Sequence, residues 1–203
     1  MNAHILRVKF QNSYIPSFSL LAQAKMLDAA SRDTPAFNDT RYFPFYYHLG
    51  VELGYLGDLP LRPKRVCQIG SKLGLIGACF MKGCDSVEEW SAMESYDEYP
   101  PASLIRSNLR LNGKAKVDFM MLNETLMKQE WPMDLAMLTE KYESDKVSEY
   151  LEFFWKRLSP EGLLVVDYIE DDAVREPFKS FCRVKNREPE VFDTRYGVGI
   201  IKR

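Results

Sequence analysis

The chain has 203 residues, 46% apolar and 28% charged, with a formal net charge of −2. That length suits one domain with a sizeable core, and the balance speaks against a general phosphate-backbone binder, which carries a basic excess. Two histidines and four cysteines without a C-x-x-C pair give no reason to assign a metal site. Cys67, Cys79, Cys84 and Cys182 read as buried free thiols of a reducing compartment. No charged-then-apolar leader opens the sequence, and no apolar run approaches about 18 residues. A soluble, cytoplasmic protein without a membrane partner is expected.

Residues 1–62 are aromatic-rich and punctuated by Pro16, Pro35, Pro44 and Pro60. Ile5 to Phe10 reads as a short strand, and Ser17 to Ser31 as a helix. Arg41 to His48 is an aromatic cluster entering a second helix that ends near Leu56. Its rings are read either as ordinary helix packing or as a lid over a substrate. Gly57-Asp58-Leu59-Pro60 reads as a linker. From residue 63 short apolar runs alternate with helical patterns. Strands are predicted at Arg65–Ile69, Glu89–Glu94, Lys116–Leu122, Asp134–Thr139 and Leu163–Ile169. Helices are predicted at Gly74–Lys82, Pro100–Asn112, Asn123–Gln129 and Asp145–Leu158. In the last helix Val147, Tyr150, Leu151, Phe154, Trp155 and Leu158 follow one helical face. Alternation of this kind makes βαβ units and a mostly parallel sheet. Glu170-Asp171-Asp172 reads as a helix start. Phe181–Lys185 and Tyr196–Lys202 read as two final strands, antiparallel, with no full helix between them.

The segment Val66-Cys67-Gln68-Ile69-Gly70-Ser71-Lys72-Leu73-Gly74 is the strand–turn–helix opening of an α/β nucleotide-binding sheet. Such a turn sets free backbone N–H groups at the carboxyl end of a buried strand. A nicotinamide oxidoreductase is disfavoured because the turn lacks G-x-G-x-x-G.

Five segments in order resemble the class I S-adenosylmethionine-dependent methyltransferases. They are the turn at 67–74, Met93-Glu94-Ser95-Tyr96-Asp97, Ile105 to Gly113, Trp131 to Leu138, and Leu158-Ser159-Pro160-Glu161-Gly162-Leu163-Leu164-Val165-Val166-Asp167. The resemblance implies a Rossmann-like seven-stranded sheet, mostly parallel with an antiparallel C-terminal strand and helices on both faces. Residues 1–62 would be an N-terminal helical and aromatic extension packed on a methyltransferase-like domain at 63–203. The implied cofactor is S-adenosylmethionine, bound by Gln68, Gly70, Ser71, Lys72, Gly74, Glu94, Ser95, Asn123 and Thr139. Glu94 would accept from the ribose hydroxyls and Asn123 would bond adenine. Their plainer readings are a solvated strand end and a helix N-cap.

Two positions depart from the family's first motif. Gln68 stands where an acid is usual, and Lys72 where a glycine is usual. Catalytic candidates are Glu140 and Asp167, with His48 a lesser one; each also has a plain reading, as a charged edge, a loop cap or a packed histidine. Compared with the metal-dependent O-methyltransferases, only Asp167 matches the cation ligands, with Thr139 and Tyr168 in the other places, so no metal is assigned. The expected activity is methyl transfer to oxygen or nitrogen of a small or medium-sized acceptor. The alternatives are a catalytically decayed binding or scaffold protein and an RNA methyltransferase, the latter from the basic residues Arg62, Lys64, Arg65, Arg183, Lys185, Arg187, Lys202 and Arg203.

Overall fold

The computed structural model describes residues 42–55, 62–71, 74–94, 109 and 114–203. The expected strand at 5–10, the helix at 17–31, the linker at 57–60, Lys72, Ser95 and all of the 100–112 helix except Leu109 lie outside the described residues. In chain order the elements are α1 (Tyr42–Tyr55), β1 (Arg65–Ile69), α2 (Leu75–Gly83), β2 (Glu89–Glu94), β3 (Lys116–Met121) and α3 (Glu124–Lys128). They continue with β4 (Met133–Leu138), α4 (Ser144–Arg157), β5 (Leu158–Asp167), α5 (Asp172–Val184), β6 (Glu190–Phe192) and β7 (Val198–Lys202).

The seven strands lie in the order β3-β2-β1-β4-β5-β7-β6. β1 to β5 are mutually parallel, and β7 runs antiparallel to both β5 and β6. The chain thus winds outward from β1 to β3 and then returns to place β4 on the other side of β1. In open α/β sheets the crevice beyond the carboxyl ends at such a reversal is where ligands bind.

Side chains alternate between the two faces of a strand. Val66, Leu135, Met137 and Val165 face α1 and α2, where Phe45, Leu49, Leu75 and Phe80 cover them. Cys67, Ile69, Ala136, Leu138, Leu164 and Val166 face α4 and α5, against Val147, Leu151, Phe154, Val174 and Phe178. Both faces of the central strands are therefore dry, which is why their sequence reads as continuous apolar runs. Among the described residues no helix is long and apolar enough to cross a membrane.

One expected strand is wrong. Phe181–Lys185 forms the last turns and C-cap of α5 rather than a strand. Val174, Phe178, Phe181 and Cys182 lie four, three and one residues apart and are all buried on one side. That helical period outweighs the β-prone local run Phe181-Cys182-Arg183-Val184. The Asp171 carboxylate caps the helix, accepting from the Ala173 N–H at 3.0 Å. The strand that pairs with β7 is instead Glu190–Phe192, in antiparallel register with Glu190 opposite Ile200.

α1 lies against α2 at glycines. A Cβ on Gly50 would stand 2.2 Å from the Phe80 carbonyl oxygen, and one on Gly83 2.3 Å from that of Tyr47. Gly50→Ala should therefore overpack this contact and destabilise the fold by about 1–3 kcal/mol. Urea unfolding checks this; an unchanged midpoint would mean that α1 is not seated as described.

Candidate functional site

Burying a polar side chain is costly unless it is bonded. Among the described residues the buried polar side chains are Glu52, Gln68, Ser71, Glu94, Thr139, Asp167 and Thr194. All but Glu52 and Thr194 collect at the carboxyl ends of β1, β2, β4 and β5. The period-two alternation aims Gln68, Glu94, Thr139 and Asp167 at the same face, the one covered by α1 and α2.

The centre of the cluster is the turn after β1. Gly70 adopts φ 81°, in the left-handed region. Its N–H donates to the Met93 carbonyl at 3.0 Å. A Cβ there would meet the Glu140 Cβ at 2.4 Å, so only glycine lets the turn after β1 touch the loop after β4. The Thr139 hydroxyl donates to the Gly70 carbonyl at 2.8 Å and accepts from the Gln68 side-chain amide at 2.7 Å. The Gln68 Oε1 is buried without a hydrogen-bond partner. On the β2 side the Ser71 hydroxyl donates to the buried Glu94 carboxylate at 2.6 Å. Gly74 is the left-handed residue that opens α2.

The β5 side is tied to α1. Asp167 is fully buried. It accepts from the Tyr46 hydroxyl at 3.2 Å and from the Tyr168 N–H at 3.0 Å. Phe45 and Tyr46 are likewise fully buried. Phe45 and Tyr46 are thus core packing, and Tyr46 also reaches the site. Glu140 accepts from the Tyr142 hydroxyl at 3.3 Å. His48 is half-buried with its ring edge-on to Tyr47.

Asn123 acts as a helix cap: its side-chain oxygen accepts from the Leu126 N–H at 2.8 Å. It also lines a groove of about 300 Å³ with Leu122, Met127, Tyr142 and Tyr150 and the charged Glu124, Lys146 and Glu149.

The sequence placed Tyr46 in an aromatic cluster read as helix packing or a lid, but did not point to its bond with Asp167 or to the stacked rim beyond β5. Tyr168 adopts φ 62°, a conformation costing a non-glycine residue about 1–3 kcal/mol. Its ring stacks on Tyr196 at 4.5 Å with the planes 17° apart. Burial, then the Asp167, Tyr196 and Glu140 charges, push its hydroxyl well above the usual tyrosine range, while Arg195 pulls the other way. Asp167, Glu140 and Arg195 thus act on one phenol. The adjacency of Tyr168 to Asp167 was the one available signal for it.

At the ends of β4 and β5 the oxygens that a cation site would use already take protein hydrogen-bond partners. The Thr139 hydroxyl is committed to Gln68 and Gly70, and both Asp167 oxygens take protein donors. Among the described residues no three His, Cys, Asp or Glu side chains are grouped to hold a metal.

No family model and no curated protein matches the sequence. Solved structures do match over nearly the whole chain. An O-methyltransferase from Bacillus cereus in complex with S-adenosylhomocysteine superposes with a TM-score of 0.67 at 16% identity, covering 99% of this chain and 100% of that one. The tomaymycin-synthesis O-methyltransferase from Streptomyces achromogenes, in complex with S-adenosylmethionine, gives 0.68 at 13% identity, covering 100% and 98%. A methyltransferase from Podospora anserina bound to S-adenosylhomocysteine gives 0.65 at 16%, covering 98% and 93%. The chain has the class I S-adenosylmethionine-dependent methyltransferase fold.

Burial and the neighbouring Asp167 carboxylate hold the Tyr46 phenol well above its ordinary value of 10. The unfolded chain releases that proton near pH 10, whereas the folded chain keeps it, so this contribution is intact below about pH 10 and is lost as pH rises further. Tyr46→Phe should cost about 1–3 kcal/mol near pH 7 by leaving buried Asp167 one donor short. It should also flatten the loss of stability on the alkaline side. Urea unfolding of both proteins across that range checks both; identical pH slopes would contradict the assignment.

Proposed function

We propose that the protein is an S-adenosylmethionine-dependent methyltransferase acting on oxygen or nitrogen of a small or medium-sized acceptor. The observation that carries this reading is the collection of buried polar side chains at the carboxyl edge of the sheet, grouped around the left-handed Gly70 turn. A fold does not need them there, since apolar residues would be cheaper.

The residues present suit the cofactor. The unpartnered Gln68 Oε1 is a spare acceptor for an ammonium or a bridging water. The Glu94 carboxylate, held by Ser71, can accept from two ribose hydroxyls. The bare backbone at Gly70 leaves room for close approach. The groove walled by Tyr142 and Tyr150 suits a flat heterocycle, with Asn123 at its edge. Lys72 and Ser95 are assigned to the same site by their place in the motif. Thr139 serves by fixing Gln68. When bound, the cofactor supplies a methyl group already activated on a sulfonium.

The protein's own work is then to orient the acceptor and to take its proton. We assign the proton to Glu140, which is half-buried beside Gly70. Asp167 acts by holding Tyr46 and the backbone of Tyr168 in place. Residues 1–62 are proposed as an extension that shapes the acceptor pocket, supported by the reach of Tyr46 from α1 to Asp167. The cytoplasm is the proposed compartment, supported by four buried, unpaired cysteines.

RNA as acceptor gains no support from the basic residues. Arg62 pairs with Asp85, Lys64 with Glu88, Arg65 with Asp134, Lys185 with Glu152 and Lys202 with Glu161. Arg187 and Arg203 spend guanidinium donors on the carbonyls of Lys202 and Leu158. Among the described residues most of this basic set is thus paired with acids or bonded to carbonyls, with exposed Arg183 the exception.

Calorimetric titration with S-adenosylhomocysteine tests the reading. Saturable binding to one site is expected. Glu94→Gln should weaken it about tenfold or more through loss of charge-assisted bonds. Absence of heat with folded protein would exclude the cofactor and leave the decayed scaffold as the better account.

A further inference from the structure

The geometry points to an anionic acceptor, one that carries a carboxylate or phosphate and is gripped by Arg195 at the rim of the notch. The proposal rests on the methyltransferase reading and names a substrate class for it. β7 runs antiparallel to β5 with Val198 opposite Asp167, so the turn before β7 stands at the carboxyl edge of β5. This turn is fixed to the loop after β5. The Ile169 N–H donates to the Gly197 carbonyl at 3.3 Å, and the Glu170 N–H to the Tyr196 carbonyl at 3.1 Å. Gly197 has φ 69°, and a Cβ there would meet Glu170 and Ile169 side-chain carbons at 2.9 Å. The rim is therefore a built surface.

Among the described residues, two other cations at this edge are paired. Lys141 is bound to Asp171 at 2.6 Å, and Arg175 to Asp172 and Glu176. Arg195 has no acidic partner among the described residues. Its guanidinium lies over the Tyr196 ring, 5.2 Å from the centroid, and is exposed. Tyr196 is itself stacked on Tyr168, which borders Asp167. An arginine laid over an aromatic ring keeps its planar fork of donors available, and that fork matches carboxylate and phosphate oxygens. The left-handed backbone of Tyr168 is held by its surroundings and sets this stack beside the site.

The test measures binding to protein saturated with S-adenosylhomocysteine, or to free protein if that ligand does not bind. The probes are 3,4-dihydroxybenzoate, its neutral analogue 3,4-dihydroxybenzamide, and phenyl phosphate. At least one anion should bind about tenfold or more tighter than the amide; which of the two wins identifies the group. Arg195→Ala should erase that preference, and Arg195→Lys should keep part of it. Affinity for S-adenosylhomocysteine should be the same in all three proteins. Equal binding of acid and amide, binding of none of the probes, or a preference surviving in Arg195→Ala overturns the proposal. Failure of S-adenosylhomocysteine to bind the unmutated protein strikes the methyltransferase reading instead, and the probe comparison on free protein still decides the role of Arg195.

Discussion

The contact between Gly70 and Glu140 is the constraint on which the site depends. β1 and β4 are adjacent only because the chain reverses its winding there. At that junction the turn after β1 and the loop after β4 approach so closely that a Cβ would fall 2.4 Å from its neighbour. The same turn delivers the Gly70 carbonyl to Thr139 and, through Thr139, fixes Gln68. It also carries Ser71 to Glu94. One left-handed glycine thus ties β1, β2 and β4 into a single polar edge. Any other residue would need a strained backbone and a displaced loop.

The far side of the edge uses a different device. The Tyr46 hydroxyl reaches from α1 to Asp167, and the glycines of α1 hold that helix too close to α2 to shift cheaply. Neutral donors, a phenol and a backbone N–H, thus occupy the Asp167 carboxylate. The polar side chains of this edge are paired locally. Gln68 pairs with Thr139 rather than presenting a second charge, and Asp167 pairs with a phenol. Among the described residues the edge is thus built from short local pairings, Gln68 with Thr139, Ser71 with Glu94 and Tyr46 with Asp167.

Much of the fold was legible because periodicity and chain order speak directly to it. β1 and β2 match their predicted bounds, and α4 is offset by one residue at each end. The tail misled because Phe181-Cys182-Arg183-Val184 is β-prone over four residues, while its helical period emerges only when read back to Val174. Motif and topology coincide at Gly70, Glu94 and Thr139, which the structure brings to one polar edge of the sheet. The bond of Tyr46 to Asp167 could not be read, since 121 positions separate them and only tertiary packing joins them. The stack of Tyr168 on Tyr196 was hidden for the same reason, being a product of the β5–β7 pairing.

The central claim is that the polar edge around Gly70 is a cofactor site and more than a solution to chain packing. Amide NMR of the uniformly labelled protein, titrated with S-adenosylhomocysteine, tests it most directly. The account predicts that the Gly70, Ser71, Glu94 and Thr139 amides shift together while those of Lys64 and Glu161, at the opposite edge of the sheet, stay still. Shifts confined to that opposite edge, or none at saturating ligand, would contradict it.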